Sequence, residues 1–269
     1  MRSILLHIDD DPCLEARIQV ALDLARCFEG HVTCIQVIPY VVGMPGDFYG
    51  SMAADLVPAF QEAADALRAR IEGNLANEDV SWSWVQEDGP AVDRMLKFTS
   101  LSDIAVVGCC DPLRKDYSPL PGDLAIRSRT PVLVVPPKSN GLDCGGPALV
   151  AWDGSPEACR ALRAALPLLA RSSSVTLATV REKAERRYDL PPTDGAEYLS
   201  RHGISCEMVE FPAATSIAHA LGDAAMVRNA SYLVMGVYGH ARLVETVFGG
   251  VTREVLANPP VPLPILACH

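Results

Sequence analysis

Glycines spaced late in the chain are the feature that most suggests chemistry. Gly236-x2-Gly239 follows an apolar run, and Gly249-Gly250 comes after nine intervening residues, just before a helical pattern. Glycine lets a backbone approach a ligand closely, and the amides at a helix start attract anions. The hydroxyl of Thr252 adds a further hydrogen-bonding group. The spacing is compatible with a phosphate-binding loop, and equally with turns that only permit tight packing.

Two titratable side chains accompany these glycines. Asp153 ends an apolar run, so in a parallel sheet it is expected at the carboxyl edge, beside Val180 and Gly236. Its carboxylate would accept a hydrogen bond from an adenine amine or a ribose hydroxyl. His240 directly follows Gly239. It is either a phosphate contact or base, or a solvated loop histidine.

Other chemistries lack the motifs that they need. The sequence has no GxxxxGK[ST], no HExxH and no CxxC pair, so neither a P-loop nor a structural zinc site is expected. Cys109 and Cys110 are expected to be small apolar filler, because adjacent cysteines rarely form an unstrained disulfide. Ser155 is expected to cap a helix and not to act as a nucleophile. Cys268 and His269 are a metal candidate, although terminal residues commonly fray.

Composition restricts the class of protein. The 269 residues are 49% hydrophobic and 21% charged, with a formal net charge of −10. This balance supports a sizeable core, and the acidic surface disfavours nucleic-acid binding. No apolar run approaches the ~20 residues of a membrane span, and the first is too short for a signal peptide. Nine cysteines without CxxC pairs are typical of reduced thiols. We therefore expect a soluble, cytoplasmic protein that binds neither nucleic acid nor membrane.

The chain repeats itself. LLHIDDDP at 5–12 matches LVAWDGSP at 149–156, DIAVVG at 103–108 matches SYLVMG at 231–236, and PVLVV at 131–135 matches PILAC at 264–268. The segment between the copies, 136–147, has the glycine and proline content of a linker. We predict two domains, 1–138 and 146–269.

Strand-like and helix-like patterns alternate in each copy. Alternation of this kind is typical of a doubly wound α/β sheet of parallel strands, and continuously apolar strands indicate cover on both faces. Gly30 is expected to cap the first helix, and Pro167 should bend or shorten a later one. The predicted strands are 4–8, 32–38, 80–85, 104–107, 132–135, 148–151, 175–180, 204–211, 233–235 and 263–268, and the predicted helices are 14–28, 56–75, 90–98, 158–169, 193–201, 217–228 and 253–258.

The first copy lacks most of the glycine pattern. Asp9 is kept, but Asp111 replaces the second glycine, and its charge would repel phosphate. The stretch from Gly122 to Pro131 is shorter than the stretch from Gly249 to Pro264 in the second copy. More than one helical turn is therefore expected to be missing from the first copy. We predict that the first copy binds no nucleotide, with Arg127 and Arg129 as the alternative that would restore an anion site.

The last strand of each copy is an apolar edge. Uncovered apolar edges aggregate, so 132–135 and 263–268 are predicted to pair with each other as an intramolecular pseudo-dimer with pseudo-twofold symmetry. Further association into a homodimer remains an alternative. The glycine- and proline-rich loop 39–51 is the predicted contact for a protein partner.

The motif Gly236-x2-Gly239-x9-Gly249-x-Val251-Thr252, with VAWDGSP at 150–156, resembles the universal stress protein family. The resemblance covers nearly all of 147–269 and, more loosely, 1–138. It implies two tandem, Rossmann-like domains of five parallel strands and a regulatory role in the stress response. The implied ligand is an adenine nucleotide (AMP, ADP or ATP), with or without magnesium. The predicted nucleotide site comprises Ala151, Trp152, Asp153, Val180, Met235, Gly236, Gly239, His240, Gly249, Gly250, Val251 and Thr252.

Gly250 departs from the family pattern, because ATP-binding members usually have Ser or Thr at this position. The missing hydroxyl is expected to weaken phosphate binding roughly tenfold, which favours AMP or ADP over ATP. Two alternatives remain: a protein-interaction scaffold of the same fold that binds no nucleotide, and a weak adenine-nucleotide hydrolase. No catalytic residue is predicted.

Overall fold

The computed structural model describes residues 1–38, 49–110, 118–181, 190–212, 216–239, 250–257 and 259–269. For 49–57, 181, 250, 253 and 257 it describes the backbone alone. Within these ranges, no helix combines the length and apolar character needed to cross a membrane.

The described residues form ten strands and eight helices, in the alternating order that the sequence predicts. The strands are β1 (Ser3–Ile8), β2 (His31–Ile38), β3 (Ser81–Asp88), β4 (Ile104–Gly108), β5 (Val132–Val135), β6 (Ala148–Ala151), β7 (Val175–Arg181), β8 (Glu207–Pro212), β9 (Tyr232–Gly236) and β10 (Ile265–Cys268). The helices are α1 (Leu14–Phe28), α2 (Tyr49–Leu75), α3 (Ala91–Thr99), α4 (Leu120–Arg127), α5 (Pro156–Leu169), α6 (Pro192–Arg201), α7 (Ile217–Val227) and α8 (Gly250–Ala257).

All ten strands belong to one sheet, in the order β3-β2-β1-β4-β5-β10-β9-β6-β7-β8. Each half of the sheet has the same doubly wound order of five parallel strands, which confirms the predicted fold class. In each half the chain reverses its direction of travel beside its first strand, between β1 and β4 and between β6 and β9. Ligands of doubly wound folds bind at such a reversal, beyond the carboxyl ends of the strands.

The two halves meet through their last strands. β5 and β10 pair in antiparallel register, with Leu133 opposite Leu266, and every residue of both strands is buried. The predicted intramolecular pairing is therefore confirmed. It gives each apolar edge a hydrogen-bonded neighbour instead of solvent.

The core has two layers, one on each face of the sheet. Buried side chains of α1, α2, α5 and α6 pack on one face, and those of α3, α4, α7 and α8 pack on the other. Each layer runs across both halves and covers the inner strands of the sheet, whereas the edge strands β3 and β8 are only partly buried. The domain boundaries at 138 and 146 stay a prediction.

Two helix expectations change in the structure. The left-handed residue that ends α1 is Glu29, with φ 50°, and not Gly30. Gly30 serves packing instead, because a Cβ there would lie 3.0 Å from the carbonyl oxygen of Arg2. Pro167 does not end α5, which continues to Leu169.

The expected loss of a helical turn in the first copy is not seen within the described residues. The helix α4 has eight residues, as does the described extent of α8, which lies between the undescribed residues 249 and 258. Gly122 is the third residue of α4 and is buried, whereas Gly249 lies outside the described residues. The connection to the last strand is shorter after α4 than after α8, which accounts for part of the difference in length.

Candidate functional site

The carboxyl end of β9 packs directly against the first turn of α5. A Cβ on Gly236 would lie 2.4 Å from the backbone nitrogen of Ala158 and 2.5 Å from the carbonyl carbon of Glu157. Only glycine tolerates backbone at this range. The packing role of Gly236 is thus explicit, and it brings the amino end of a helix to the reversal between β6 and β9.

Asp153 is held in a defined position at this edge. Its Oδ1 accepts hydrogen bonds from the backbone N–H and the hydroxyl of Ser155, at 3.0 and 2.6 Å. The hydroxyl oxygen of Ser155 in turn accepts from the N–H of Ala158 at 3.1 Å, so the predicted helix cap is confirmed. Asp153 itself is exposed, and its carboxylate is oriented before any ligand arrives.

The turn after β9 is fixed by hydrogen bonds from its own amides. Val237 N–H donates to the carbonyl of Cys268 at 2.8 Å. Tyr238 adopts φ 61°, and its N–H donates to the hydroxyl oxygen of the buried Thr252 at 3.2 Å. Neither amide can serve a ligand without losing its present partner. The nearest role of Thr252 is therefore to hold this turn.

A buried carboxylate faces the second glycine of the motif. A Cβ on Gly239 would lie 2.7 Å from Oε2 of Glu157, whose residue is only 8% exposed. The other oxygen, Oε1, is paired with the guanidinium of Arg160. This carboxylate opposes an anion at Gly239, and no sequence motif predicts its position there.

Arginines surround a cavity next to the same turn. The cavity has a volume of about 490 Å³, and its lining includes Arg129, Arg160, Arg163 and His269. The ring of His269 contacts the carbonyl of Val237 through Nδ1 at 3.0 Å, so the cavity adjoins the glycine turn. The expectation that the chain terminus is frayed is therefore wrong for Cys268, which belongs to β10, and for His269.

The other predicted site residues occupy several kinds of position. Trp152 is buried: its indole N–H donates to Leu190 O at 3.0 Å, and its ring lies against Gly195 of α6. Met235 is buried in the core. Ala151 and Val180 are both half-buried at the carboxyl ends of β6 and β7. Gly250 and Val251 are the first two residues of α8. His240 and Gly249 lie outside the described residues.

The corresponding crevice of the first half is filled by protein. Arg17 is fully buried, and its guanidinium bonds to the carbonyls of His7 and Asp9 and to the carboxylate of Asp11. A Cβ on Gly108 would lie 2.6 Å from that guanidinium. Burial raises the pKa of Asp9 to about 6, against the opposing effect of Arg17.

The two arginines proposed as a substitute anion site in the first half do not act together. Arg127 is paired with Asp93 at 2.9 Å. Arg129 lines the cavity beside β10, together with arginines of the second half. An anion bound by Arg129 would therefore lie between the halves.

Three thiols converge beside the filled crevice. The sulfur atoms of Cys13 and Cys109 are 3.9 Å apart, as are those of Cys109 and Cys110. A hydrogen bond from Cys109 lowers the pKa of Cys13. Cys109 and Cys110 were predicted to be apolar filler because adjacent cysteines rarely form an unstrained disulfide, and that prediction did not consider Cys13, which is distant along the chain. The repeat contains a signal for this cluster. Cys13 has the position of Glu157, which lies beside the end of β9, so Cys13 is expected beside the end of β4, next to Cys109.

Comparisons with known proteins agree with this architecture. No protein-family model and no curated protein matches the sequence. Among solved structures, a universal stress protein from Archaeoglobus fulgidus has a TM-score of 0.73 and 16% identity, over 98% of this chain and 97% of that one. A functionally unknown protein from Pseudomonas aeruginosa has a TM-score of 0.57 and 19% identity, over 100% and 92%. The predicted resemblance is therefore confirmed for the fold: the whole chain, both halves together, has the fold of that universal stress protein.

Proposed function

We propose that the second half binds an adenine nucleotide, with its phosphates in the arginine cavity and its nucleoside at Asp153. The observation that carries the proposal is the cavity itself. Arg129, Arg160 and Arg163 converge on one space in a chain whose net charge is −10. Such a local excess of positive charge attracts anions. A single guanidinium group can donate two parallel hydrogen bonds to two oxygens of a phosphate.

The dimensions and position of the cavity support a nucleotide over a bare anion. A volume of about 490 Å³ lies within the range of small-ligand sites. His269 connects the cavity to the turn after β9, and that turn packs on the helix that Asp153 precedes. A ligand that spans both features would have an anionic end and a hydrogen-bonding end.

Two features favour AMP or ADP over ATP. Glu157 places negative charge at Gly239, and the amides of Val237 and Tyr238 are engaged within the protein. The turn therefore offers little support for a long phosphate chain, and the arginines carry most of the attraction. Magnesium would then be dispensable, because few phosphate charges remain to be neutralised.

The proposed role is regulatory. We infer two domains, 1–138 and 146–269, of which the first acts as the structural partner of the second because Arg17 occupies its crevice. Nucleotide binding would change the contacts between the two halves, because Arg129 belongs to the first half and Arg160 to the second.

Calorimetric titration with AMP, ADP and ATP, each with magnesium or with EDTA, tests the proposal. Arg129→Ala should weaken ADP binding about tenfold, the loss of one charge-assisted hydrogen bond. Arg127→Ala is the matched control, because this neighbouring arginine pairs with Asp93 outside the cavity. Gly239→Asp should abolish binding. No heat and no thermal shift at millimolar nucleotide would overturn the proposal.

One observation favours a second candidate, a protein-interaction scaffold that binds no nucleotide. The Glu157 carboxylate already occupies the space beside Gly239, as protein fills the first crevice. Most of the loop predicted as its partner contact, 39–51, lies outside the described residues. Deleting the loop should then abolish binding of a partner protein and leave the response to nucleotide unchanged.

A further inference from the structure

The three thiols near the end of β4 form a compact cluster of donor atoms. The sulfur atoms of Cys13, Cys109 and Cys110 all lie within 4.8 Å of one another. Cys13 and Cys109 are buried, whereas Cys110 is half-buried. The cluster thus has a closed inner side and one member through which an ion could enter from solvent.

The sulfur separations suit a single bound metal ion. With metal–sulfur bonds of about 2.3 Å, sulfurs lie roughly 3.8 Å apart around a tetrahedral ion and roughly 4.0 Å apart around a trigonal one. Two of the pairs are at 3.9 Å. Two thiols in simple contact lie about equally far apart, so the convergence of the third sulfur is the distinguishing feature.

The backbone holds these thiols in place before an ion binds. Cys13 precedes α1, and its N–H donates to Oδ1 of Asp11 at 2.6 Å. Cys109 follows β4, and its carbonyl accepts from the N–H of Ser118 at 2.9 Å. Preorganised donors on the ends of regular elements lose little entropy when they bind.

A buried ion pair, Arg17 with Asp11, lies beside the cluster. A Cβ atom built on Gly108 would lie 2.6 Å from Nη1 of Arg17 and 3.2 Å from Sγ of Cys13. The guanidinium and this sulfur are therefore close neighbours. A positive charge at this range stabilises thiolates, which are the forms that bind metals, while the carboxylate of Asp11 opposes part of this effect.

We propose that Cys13, Cys109 and Cys110 bind one thiophilic metal ion, Zn²⁺ or Cu⁺, as three thiolates. Each thiol releases its proton to solvent as its bond to the ion forms, and no electron is transferred. Soft thiolate ligands select ions of this class. Within the part of the chain that the structure describes, no histidine or carboxylate joins the cluster. Three sulfur ligands would complete the coordination of Cu⁺, whereas Zn²⁺ would take a water molecule as its fourth ligand.

The test uses the full-length, reduced protein under anaerobic conditions. Zn²⁺ and Cu⁺ are titrated separately against a chromophoric chelator, and native mass spectrometry counts the bound ions. We expect one equivalent of at least one ion in the wild type. Cys109→Ser and Cys110→Ser should each weaken its binding at least about 100-fold, the upper end of the cost of losing an outer-shell partner. X-ray absorption of the loaded protein should show three sulfur ligands.

Two control variants separate this cluster from other thiols. Cys206→Ser removes a half-buried thiol elsewhere, and Cys144→Ser removes one that interacts with Cys27. Both should bind the ion as the wild type does. The proposal is overturned if neither ion binds, if binding survives in Cys109→Ser and Cys110→Ser variants that remain folded, or if only Cys144→Ser abolishes it.

Discussion

Replacing Glu157 with glutamine should strengthen nucleotide binding, which is unusual for a substitution inside a binding site. The carboxylate lies against Gly239 and pairs with Arg160, which lines the cavity proposed for the phosphates. For a phosphate charge assumed to lie about 6 Å from this carboxylate, at an effective dielectric constant of about 20, the repulsion is about 3 kcal/mol. We take the ion pair with Arg160 to offset roughly half of this repulsion. The expected net gain of about 1.4 kcal/mol is a tenfold lower Kd for ADP.

Calorimetric titration of ADP into the Glu157→Gln protein measures this gain. The isosteric amide also frees Arg160 for the phosphates, so added salt should reduce the affinity more strongly in the variant. Glu197→Gln is the matched control, because Glu197 also pairs with an arginine on its own helix but is exposed on α6. An affinity of Glu157→Gln equal to or below that of the wild type, with Glu197→Gln unchanged, would refute the reasoning.

Three further predictions concern stability, each measured by urea denaturation. Gly236→Ala should lower the free energy of unfolding by about 1–3 kcal/mol through overpacking, whereas Gly73→Ala, with open space around it, should not be destabilising. Thr252→Val should cost about 1–3 kcal/mol, because the buried N–H of Tyr238 loses its acceptor, and Thr252→Ser should restore most of it. Burial, assisted by Arg17, lowers the pKa of His7 to about 3, so the folded protein keeps it neutral while the unfolded chain protonates below pH 6.5. Wild-type stability should therefore fall by about 2 kcal/mol more than that of His7→Leu between pH 7 and pH 5.

Each of these predictions has a contradicting outcome. Unchanged stability of Gly236→Ala would mean that β9 and α5 are not in backbone contact. Equal stability of Thr252→Val and the wild type would place the hydroxyl elsewhere. A His7→Leu protein with the same pH dependence as the wild type would show that His7 is solvated.

The fold could be predicted from the sequence because its signals are local and repeated. Strands such as β1 and β4 are continuous apolar runs, and the same pattern recurs in the second copy. The antiparallel pairing of β5 with β10 also followed, because two apolar edges have few other ways to avoid solvent. Helix ends were less predictable: Glu29 takes the left-handed conformation that ends α1, and Gly30 lies where a Cβ would crowd the backbone of Arg2.

The candidate site was predicted only in part, because its remaining features depend on side chains brought together by the fold. Arg129 and Arg160 line one cavity only because the halves join through β5 and β10. The approach of Glu157 to Gly239 depends on how closely α5 packs on the end of β9. The cluster of Cys13 with Cys109 has the same origin, since sequence spacing does not report distances between separate elements.

An experimental structure of the protein with ADP bound tests the central claim most directly. The account predicts phosphates beside Arg129, Arg160 and Arg163, with the ribose or adenine hydrogen-bonded to Asp153. ADP bound in the first half near Arg17, or an arginine cavity that stays empty at saturating ADP, would contradict it.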